Sequence, residues 1–206
     1  MESQWLKWAK KLQAISQNGL MFAENPYDIE RYQAIREIAL EIMAEGAKAD
    51  ITKLRDIFSQ EIGYATPKVD VRGVVFRDDA LLFVKERMDG CWALPGGWAD
   101  VVDTPSNAVT REIYEESGYQ TRVVKLLAVY DRSKQGHRPE YPYHVYKLFF
   151  LCELQGGSAT TSIETEEVAF FRENEIPELS KRRVTLAQIK RMFEYSRHPE
   201  WQTDYD

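Results

Sequence analysis

Three glutamates, Glu112, Glu115 and Glu116, are the residues of this sequence best suited to chemistry. On an α-helix, positions i, i+3 and i+4 project from one face, so the three carboxylates are predicted to lie side by side. Carboxylates at this spacing repel one another by roughly 0.2–0.5 kcal/mol per pair. A hard cation reverses that repulsion, and Mg²⁺ prefers a few carboxylates together with water and substrate phosphates. The spacing therefore favours a metal site, with a solvated acidic helix face as the alternative.

The residues around the glutamates predict a helix over 105–117. Thr104 followed by Pro105 is a strong helix start, because threonine accepts a bond from a free N–H group and proline suits the first helical position. Gly118 can adopt the left-handed conformation that ends a helix. The helix is therefore predicted to hold the acids in a fixed frame.

Two glycines, Gly96 and Gly97, precede this helix. Glycine allows the backbone to approach an ion or ligand closely, so a loop carbonyl beside the acids is a further candidate ligand. Arg111 offsets part of the acidic charge through Glu115, four residues later. An isolated acidic triplet is most often a solvated surface, but the glycine pair and the apolar side of the helix, which includes Ile113, favour the metal site.

The stretch 97–119 resembles the signature of the Nudix hydrolases. In that signature a glycine is followed by five residues and a glutamate, then by seven residues, Arg-Glu, an aliphatic residue, any residue, Glu-Glu, any residue, glycine and a hydrophobic residue. The matching positions here are Gly97, Arg111, Glu112, Ile113, Glu115, Glu116, Gly118 and Tyr119. The departure is Asp103, where the family usually has a glutamate that supports the site and often pairs with the arginine.

The resemblance implies an enzyme that cleaves a nucleoside diphosphate linked to another moiety, by attack of water on phosphorus. It implies an Mg²⁺ cofactor, with Mn²⁺ as the alternative ion. The implied metal ligands are Glu112, Glu115, Glu116 and the carbonyl of Gly97, and these glutamates and Arg111 are the implied catalytic residues.

The general base implied by the family is either a glutamate of the signature or a carboxylate on a later loop. The later candidates are Glu164, Glu166 and Glu167. Glu167 directly precedes a predicted strand and suits a structural role. We favour Glu164, which lies further into the loop, as the base or as a ligand of a second ion. For each of these residues a solvated acidic loop is an equal alternative.

Two residues are candidates for contact with the substrate. Arg72 is a charge within an apolar strand, so it either contacts a substrate phosphate or points to solvent. Trp98 follows the glycine pair and either stacks on a base or packs in the pocket wall, with packing the favoured alternative. The long basic and aromatic loop 131–144 is a candidate for specificity. Its histidines, His137 and His144, suit surface or packing roles better than metal binding.

The chain is predicted to consist of a helical segment, 1–64, and a second domain, 65–206. In the first, Trp5, Trp8, Leu12 and Ile15 follow helical spacing. This stripe is predicted to be buried on the segment itself or on the next domain. The alternative role for the segment is dimerisation or covering of the substrate, and we favour a homodimer.

The second domain alternates strand-rich regions with two helices, which predicts an α+β fold rather than a doubly wound sheet. Strands are predicted over 69–76, 81–86, 121–131, 144–154 and 168–171, with a last helix capped by Thr185. The family resemblance implies an α/β/α sandwich around a mixed β-sheet, following the helical segment. The wider pattern is similar to bacterial Nudix enzymes that act on ADP-ribose or CDP-choline.

Composition excludes several classes of protein. The chain has 206 residues and a net charge of −6, which disfavours broad electrostatic binding of nucleic acid. No apolar run is long enough to span a membrane, and the N-terminus lacks the apolar core of a signal peptide. Cys91 and Cys152 form no CxxC pair, so two free thiols in a reducing cytoplasm are predicted. Two other functions fit less well: a non-catalytic nucleotide-binding regulatory module, and a phosphohydrolase acting on RNA ends.

Overall fold

The structure is a computed structural model and describes residues 2–206. The chain divides into two compact units. One extends to Pro67 and includes Glu140–His144, and the other comprises Lys68–Pro139 and Val145–Asp206. No helix within the described part of the chain is both long and apolar enough to cross a membrane.

The N-terminal unit contains three helices: α1 (Gln4–Phe22), α2 (Pro26–Ala47) and α3 (Ile51–Ser59). Asp50 caps α3, and its side chain accepts a hydrogen bond from the Thr52 amide at 2.8 Å. Helix α2 passes through Gly46 and ends at Ala47, where the next residue, Lys48, adopts the left-handed conformation. Helix α3 ends before Gly63, at Ser59.

The apolar stripe predicted to be buried on α1 is largely at the surface. Trp8 and Ile15 are 57% and 54% exposed. The buried side of α1 instead carries small or polar residues beside Leu6, namely Ala9, Gln13 and Ser16. This side packs in a core made by Leu40, Met43, Leu54, Phe58 and Tyr143. The prediction is therefore wrong for Trp8 and Ile15, whereas Trp5 is half-buried and packs against this core.

The second unit contains a mixed seven-stranded sheet and two helices. Its strands are β1 (Lys68–Arg77), β2 (Ala80–Glu86), β3 (Trp92–Ala93), β4 (Tyr119–Asp131), β5 (Val145–Gly157), β6 (Thr165–Phe171) and β7 (Asp204–Tyr205). The order is β3-β2-β1-β5-β4-β7, with β6 also paired to β2. Strands β1 and β5 run parallel, whereas β2 and β4 are antiparallel to their β1 and β5 neighbours.

One helix covers each face of this sheet. Helix α4 (Pro105–Ser117) buries Val109 and Ile113 against Val71 and Val75 of β1. On the opposite face, α5 (Leu186–Arg197) buries apolar side chains against Val74 and Phe149. The predicted α+β class and α/β/α sandwich are therefore confirmed.

Turn and cap residues in the sequence mark the ends of several of these strands and helices. Asp78 and Asp79 form the turn of the β1–β2 hairpin, both with positive φ, at 50° and 61°. Thr185 caps α5 with a complete capping box. The strand predicted at 168–171 begins earlier, at Thr165, and β7 was not predicted. Two residues are too short a strand to leave a period in the sequence.

Candidate active site

Helix α4 has the ends that its sequence predicts. The Thr104 hydroxyl accepts from the Asn107 amide at 3.2 Å, and Gly118 ends the helix at φ 75°. The buried side of the helix includes Ile113, which packs over Gly73 of β1. Because both ends and one side are fixed, the acids on the helix have a fixed position relative to the sheet.

The glycine pair brings backbone directly against two of those acids. The Gly96 amide, at φ 140°, donates to Glu116 Oε2 at 2.8 Å. A Cβ atom placed on Gly97 would lie 2.7 Å from Glu112 Oε2. The Gly97 carbonyl accepts from the Val71 amide at 2.8 Å, which aligns this segment with β1. The structure therefore brings together Gly97, Glu112 and Glu116, three of the predicted site residues.

Arg111 binds the acids on its own side of the helix. Its Nε lies 3.1 Å from Asp103 Oδ2, and its Nη1 donates to Glu112 at 2.9 Å and to Glu115 at 3.0 Å. The shorter Asp103 therefore reaches the arginine, as its family position implies. Glu115 is the most exposed of the three glutamates, with 56% of its side chain accessible.

Burial disfavours the ionised form of two acids in this site. It raises the pKa of Glu116 to about 8, although the guanidinium of Arg72 and the Gly96 amide act in the opposite direction. Burial also raises the pKa of Glu112, which Arg111 partly offsets. Within residues 2–206, no three acidic, histidine or cysteine side chains converge closely enough to enclose a metal ion. Mg²⁺ does not require such an enclosure, because one or two carboxylates and substrate phosphates suffice.

Arg72 does not point to solvent, so that alternative is wrong. The residue is only 3% exposed. Its Nε and Nη2 donate to the two oxygens of Asp70 at 2.9 and 2.7 Å, and its Nη1 donates to the Leu94 carbonyl at 3.1 Å. Its charge favours the ionised form of Glu116.

Glu86 belongs to the site and was not identified from the sequence. It ends β2, is 1% exposed, and forms an ion pair with Arg183 in which Oε1 lies 2.7 Å from Nε. Burial raises the pKa of Glu86, and its charge also raises the pKa of Glu116. Glu86 lies at an irregularity in the pairing of β2 with β6. A bulge of this kind re-aims a side chain, so simple alternation along the strand could not have located it.

The remaining predicted residues lie around this centre. The Glu164 side chain is exposed, its backbone carbonyl accepts from the Arg87 amide, and its charge reaches Glu86. Glu166 and Glu167 both pair with Lys85, at 3.0 and 2.7 Å, which favours the structural role suggested for Glu167. Trp98, 43% exposed, forms a β-bridge with Asp70.

A buried polar cluster extends from Asp70 along the sheet. Lys147, 1% exposed, is 2.5 Å from Asp70, its partner across the β1–β5 pair. His137 is also buried, and its Nδ1 lies 3.2 Å from the Lys181 carbonyl. Because a carbonyl only accepts, Nδ1 must carry the proton. His137 is therefore a packing residue as predicted, whereas His144 is exposed.

His137 is expected to make the protein sensitive to acid. Burial, with Lys147 and Arg132, lowers the pKa of His137 from 6.5 to about 3. The stability from its neutral form is complete above pH 6.5 and is lost as the pH falls toward 3. At pH 4.5 the loss is about 2–3 kcal/mol. We expect His137→Gln, which keeps an N–H for Lys181, to lose less unfolding free energy between pH 7 and 4.5 than wild type in urea titrations. Equal losses of unfolding free energy in the variant and in wild type would contradict this role of His137.

Comparisons with known proteins agree with this geometry. Residues 66–193 match the NUDIX domain model, and residues 3–58 match a model described as a UDP-X-like, N-terminal oligomerisation domain. The Bacillus subtilis protein YjhB, provisionally named an ADP-ribose pyrophosphatase, is 43% identical over 206 residues, which is 100% of this chain and 99% of that protein. An ADP-ribose pyrophosphatase of Methanocaldococcus jannaschii is 33% identical over 69% of this chain and 83% of its own length.

Two solved structures are similar as well. An ADP-ribose pyrophosphatase from Streptococcus suis is 36% identical, with a TM-score of 0.63 over 68% of this chain and 100% of that one. A UDP-X diphosphatase is 29% identical, with a TM-score of 0.64 over the full length of both chains. The chain therefore belongs to the Nudix hydrolases, with a helical segment of the UDP-X-like type ahead of its Nudix domain.

Proposed function

We propose that this Nudix hydrolase is a divalent-cation-dependent pyrophosphatase that cleaves the diphosphate bridge of ADP-ribose, with CDP-choline as the next candidate substrate. The observation that carries the proposal is the meeting of Glu112 and Glu116 with the Gly96–Gly97 backbone. The names of the relatives support ADP-ribose, and the UDP-X diphosphatase makes UDP-linked compounds a third class to test. All three classes share a diphosphate bridge, which is what this site is suited to bind.

The donors present fit Mg²⁺, or Mn²⁺ in its place. Glu112 and Glu116 would hold the ion beside the glycine pair, with Glu115 and the second lone pair of the Gly97 carbonyl as further ligands. When bound, the ion would neutralise the diphosphate and lower the pKa of a water molecule. The space that a Cβ atom on Gly97 would fill beside Glu112 supports this placement.

The protein's own side chains would then orient the reaction. Arg111 holds Glu112 and Glu115 so that their oxygens keep their positions as charge develops. We propose Glu164 as the general base, because its carboxylate is accessible and its backbone is fixed to Arg87. For Arg72 we propose an electrostatic influence on the acids rather than substrate contact, since its donors are already engaged. Trp98 is partly exposed and remains our candidate for stacking on a base.

A substrate panel tests the proposed function. ADP-ribose, CDP-choline, UDP-linked sugars, nucleoside triphosphates and triphosphate-ended RNA would be incubated with Mg²⁺ and with Mn²⁺, and each product identified by its mass. We expect AMP and ribose 5-phosphate from ADP-ribose at the highest kcat/KM. Tight nucleotide binding without turnover of any compound would instead indicate a regulatory module. Preferential turnover of triphosphate-ended RNA would instead indicate a phosphohydrolase that acts on RNA ends.

We propose that the protein is a homodimer that uses the exposed side of α1. Trp8, Ile15 and Phe22 are spaced seven residues apart, so they lie on one side of the helix, and each is more than half exposed. Ile15 and Phe22 also line an open groove of about 660 Å³ together with Tyr32. The match of this segment to an oligomerisation domain supports a second copy as the partner. We place the dimer in the cytoplasm, because both cysteines are free thiols.

Substituting glutamate into this side of α1 is expected to dissociate the dimer. Ile15→Glu combined with Phe22→Glu would bury four like charges in a twofold interface, an arrangement strongly disfavoured by desolvation. Multi-angle light scattering should give the mass of one chain for this variant and of two chains for wild type. Leu186→Glu, an exposed apolar position at the start of α5, is the matched control and should remain dimeric. An unchanged mass for the double variant would show that the interface lies elsewhere.

A further inference from the structure

A diphosphate adds negative charge to a site that is already acidic, so a protein cation that can reach it would favour binding. The two arginines described above are poorly placed for this. Arg111 Nε and Nη1 donate to Asp103, Glu112 and Glu115, its Nη2 lies 3.1 Å from Asp100 Oδ2, and Arg72 is 3% exposed. A third cation beside the site would therefore be better placed to contact the substrate phosphates directly.

Arg183 lies in the turn that precedes α5 and is anchored by acids. Its Nε is 2.7 Å from Glu86 Oε1, and its Nη1 is 3.7 Å from Asp89 Oδ2 and 3.4 Å from the Ser180 hydroxyl. The Arg183 side chain retains 19% exposure, whereas that of Glu86 retains 2%. The guanidinium is thus held on one edge by a buried carboxylate while part of it stays accessible.

The turn itself is fixed to the strand that leads into the glycine pair. The Ser180 amide donates to the Trp92 carbonyl at 2.8 Å, and the Trp92 amide donates to the Glu178 carbonyl at 2.9 Å. The Ser180 hydroxyl donates to Asp89 at 2.7 Å. Because these bonds hold the backbone and the base of the side chain, Arg183 loses little further conformational freedom on binding a ligand.

Glu86 connects Arg183 to the acids of α4. Glu86 pairs with Thr165 across β2 and β6, and the Thr165 hydroxyl donates to the Glu116 carbonyl at 2.9 Å. The carboxylate of Glu86 also interacts with Glu116 and Arg72. Glu86 therefore joins the Arg183 guanidinium to Glu116 at the end of α4.

We propose that Arg183 is a substrate-binding residue that donates to the diphosphate, and that Glu86 is the positioning residue that holds its guanidinium in place. This inference rests on the proposed function for the identity of the ligand. A guanidinium presents parallel N–H groups that match phosphate oxygens, which lysine cannot reproduce. Neither residue forms part of the recognisable signature at 97–119.

The test compares two variants that both carry a neutral residue at position 86. Arg183→Gln alone would leave the buried Glu86 carboxylate unpaired and could unfold the protein. Glu86→Gln and Glu86→Gln/Arg183→Gln avoid this, and the amide oxygen of the new glutamine can still accept from Arg183 Nε, so the difference between them measures Arg183. The probe is the α,β-methylene analogue of ADP-ribose with Mg²⁺, measured by calorimetry. We expect the double variant to bind at least about tenfold more weakly than Glu86→Gln. Arg182→Gln, in the same turn, is the control and should bind like wild type.

A steady-state measurement with ADP-ribose separates binding from structural support. With Glu86 intact, Arg183→Lys should raise KM more than it lowers kcat. Equal Kd values for the two position-86 variants would overturn the inference, as would failure of wild type to bind both the analogue and magnesium pyrophosphate. Binding that depends on Arg183 without hydrolysis of ADP-ribose would refute the proposed function alone. Hydrolysis with no effect at position 183 would refute this inference alone.

Discussion

Replacing Glu116 with glutamine is expected to reduce Mg²⁺-dependent hydrolysis of ADP-ribose by roughly a hundredfold or more while the fold is retained. Even residues that only support a metal ligand commonly cost 10- to 100-fold when changed, so about that loss is the minimum for a ligand itself. Glutamine keeps an oxygen that can accept from the Gly96 amide, so the backbone contact survives. The measurement is kcat/KM with saturating Mg²⁺.

The fold of this variant should be no less stable than wild type. Burial raises the pKa of Glu116 to about 8, so without a cation the ionised carboxylate destabilises the folded state as the pH rises from 4.5 through 8. The metal-free Glu116→Gln protein should therefore melt at or above the wild-type temperature at pH 8. Glu167→Gln, which alters the exposed pair with Lys85, should keep near-wild-type turnover. Near-full activity of Glu116→Gln would remove this residue from the catalytic site.

The same assay tests Glu164 as the general base. Glu164→Gln should lower kcat by about 10²-fold or more, with little change in KM. A kcat close to that of wild type would return the role of base to a glutamate of the signature.

Asp70→Asn is expected to destabilise the second unit by about 3 kcal/mol. Asp70 is the carboxylate shared by two buried cations, Arg72 and Lys147, and removing one partner of a buried ion pair leaves uncompensated charge. The pKa of Asp70, lowered to about 2 by these cations against the effect of burial, shows how strongly the ionised form is held. Burial has already lowered the pKa of Lys147 to about 7, so loss of its proton limits the damage. Urea unfolding followed by circular dichroism at pH 7 measures the change.

Two further variants decide whether buried charge is the cause. Asp70→Asn/Lys147→Met removes one of the stranded cations and should recover part of the lost unfolding free energy. Glu153→Gln breaks an ion pair with Arg122 in which both side chains are more than half exposed, and such pairs contribute about 0–1 kcal/mol. A loss for Asp70→Asn no larger than that for Glu153→Gln would show that the cluster does not stabilise the fold.

The site divides into a part the sequence could predict and a part it could not. Helix α4 was predictable because its cap, its first-turn proline and its terminal glycine act within the helix itself. The family resemblance implied that the Gly97 carbonyl lies beside the acids, whereas the bond from the Gly96 amide to Glu116 was not predicted. Glu86 and Arg183 could not be predicted, because a strand irregularity and a distant turn bring them together, and neither leaves a short-range pattern.

The prediction for the N-terminal helical segment was partly wrong, and for a different reason. Trp8 and Ile15 were assigned to the interior because large apolar side chains are usually buried. The structure instead buries Ala9, Gln13 and Ser16 beside Leu6. Spacing shows which side chains share a helix face, but not which face meets the core.

The two adjacent glycines meet different demands. Gly96 adopts φ 140°, a torsion that side-chain-bearing residues avoid, so its constraint concerns the path of the chain. Gly97 has no such torsion. The constraint at this position is the space available to a side chain, because a single methyl group would lie against Glu112. Mutational drift at the first position would be selected against through impaired folding. Drift at the second would leave every torsion allowed but press a carbon atom against Glu112, which we propose as a metal ligand, so the two positions of one dipeptide are constrained for separate reasons.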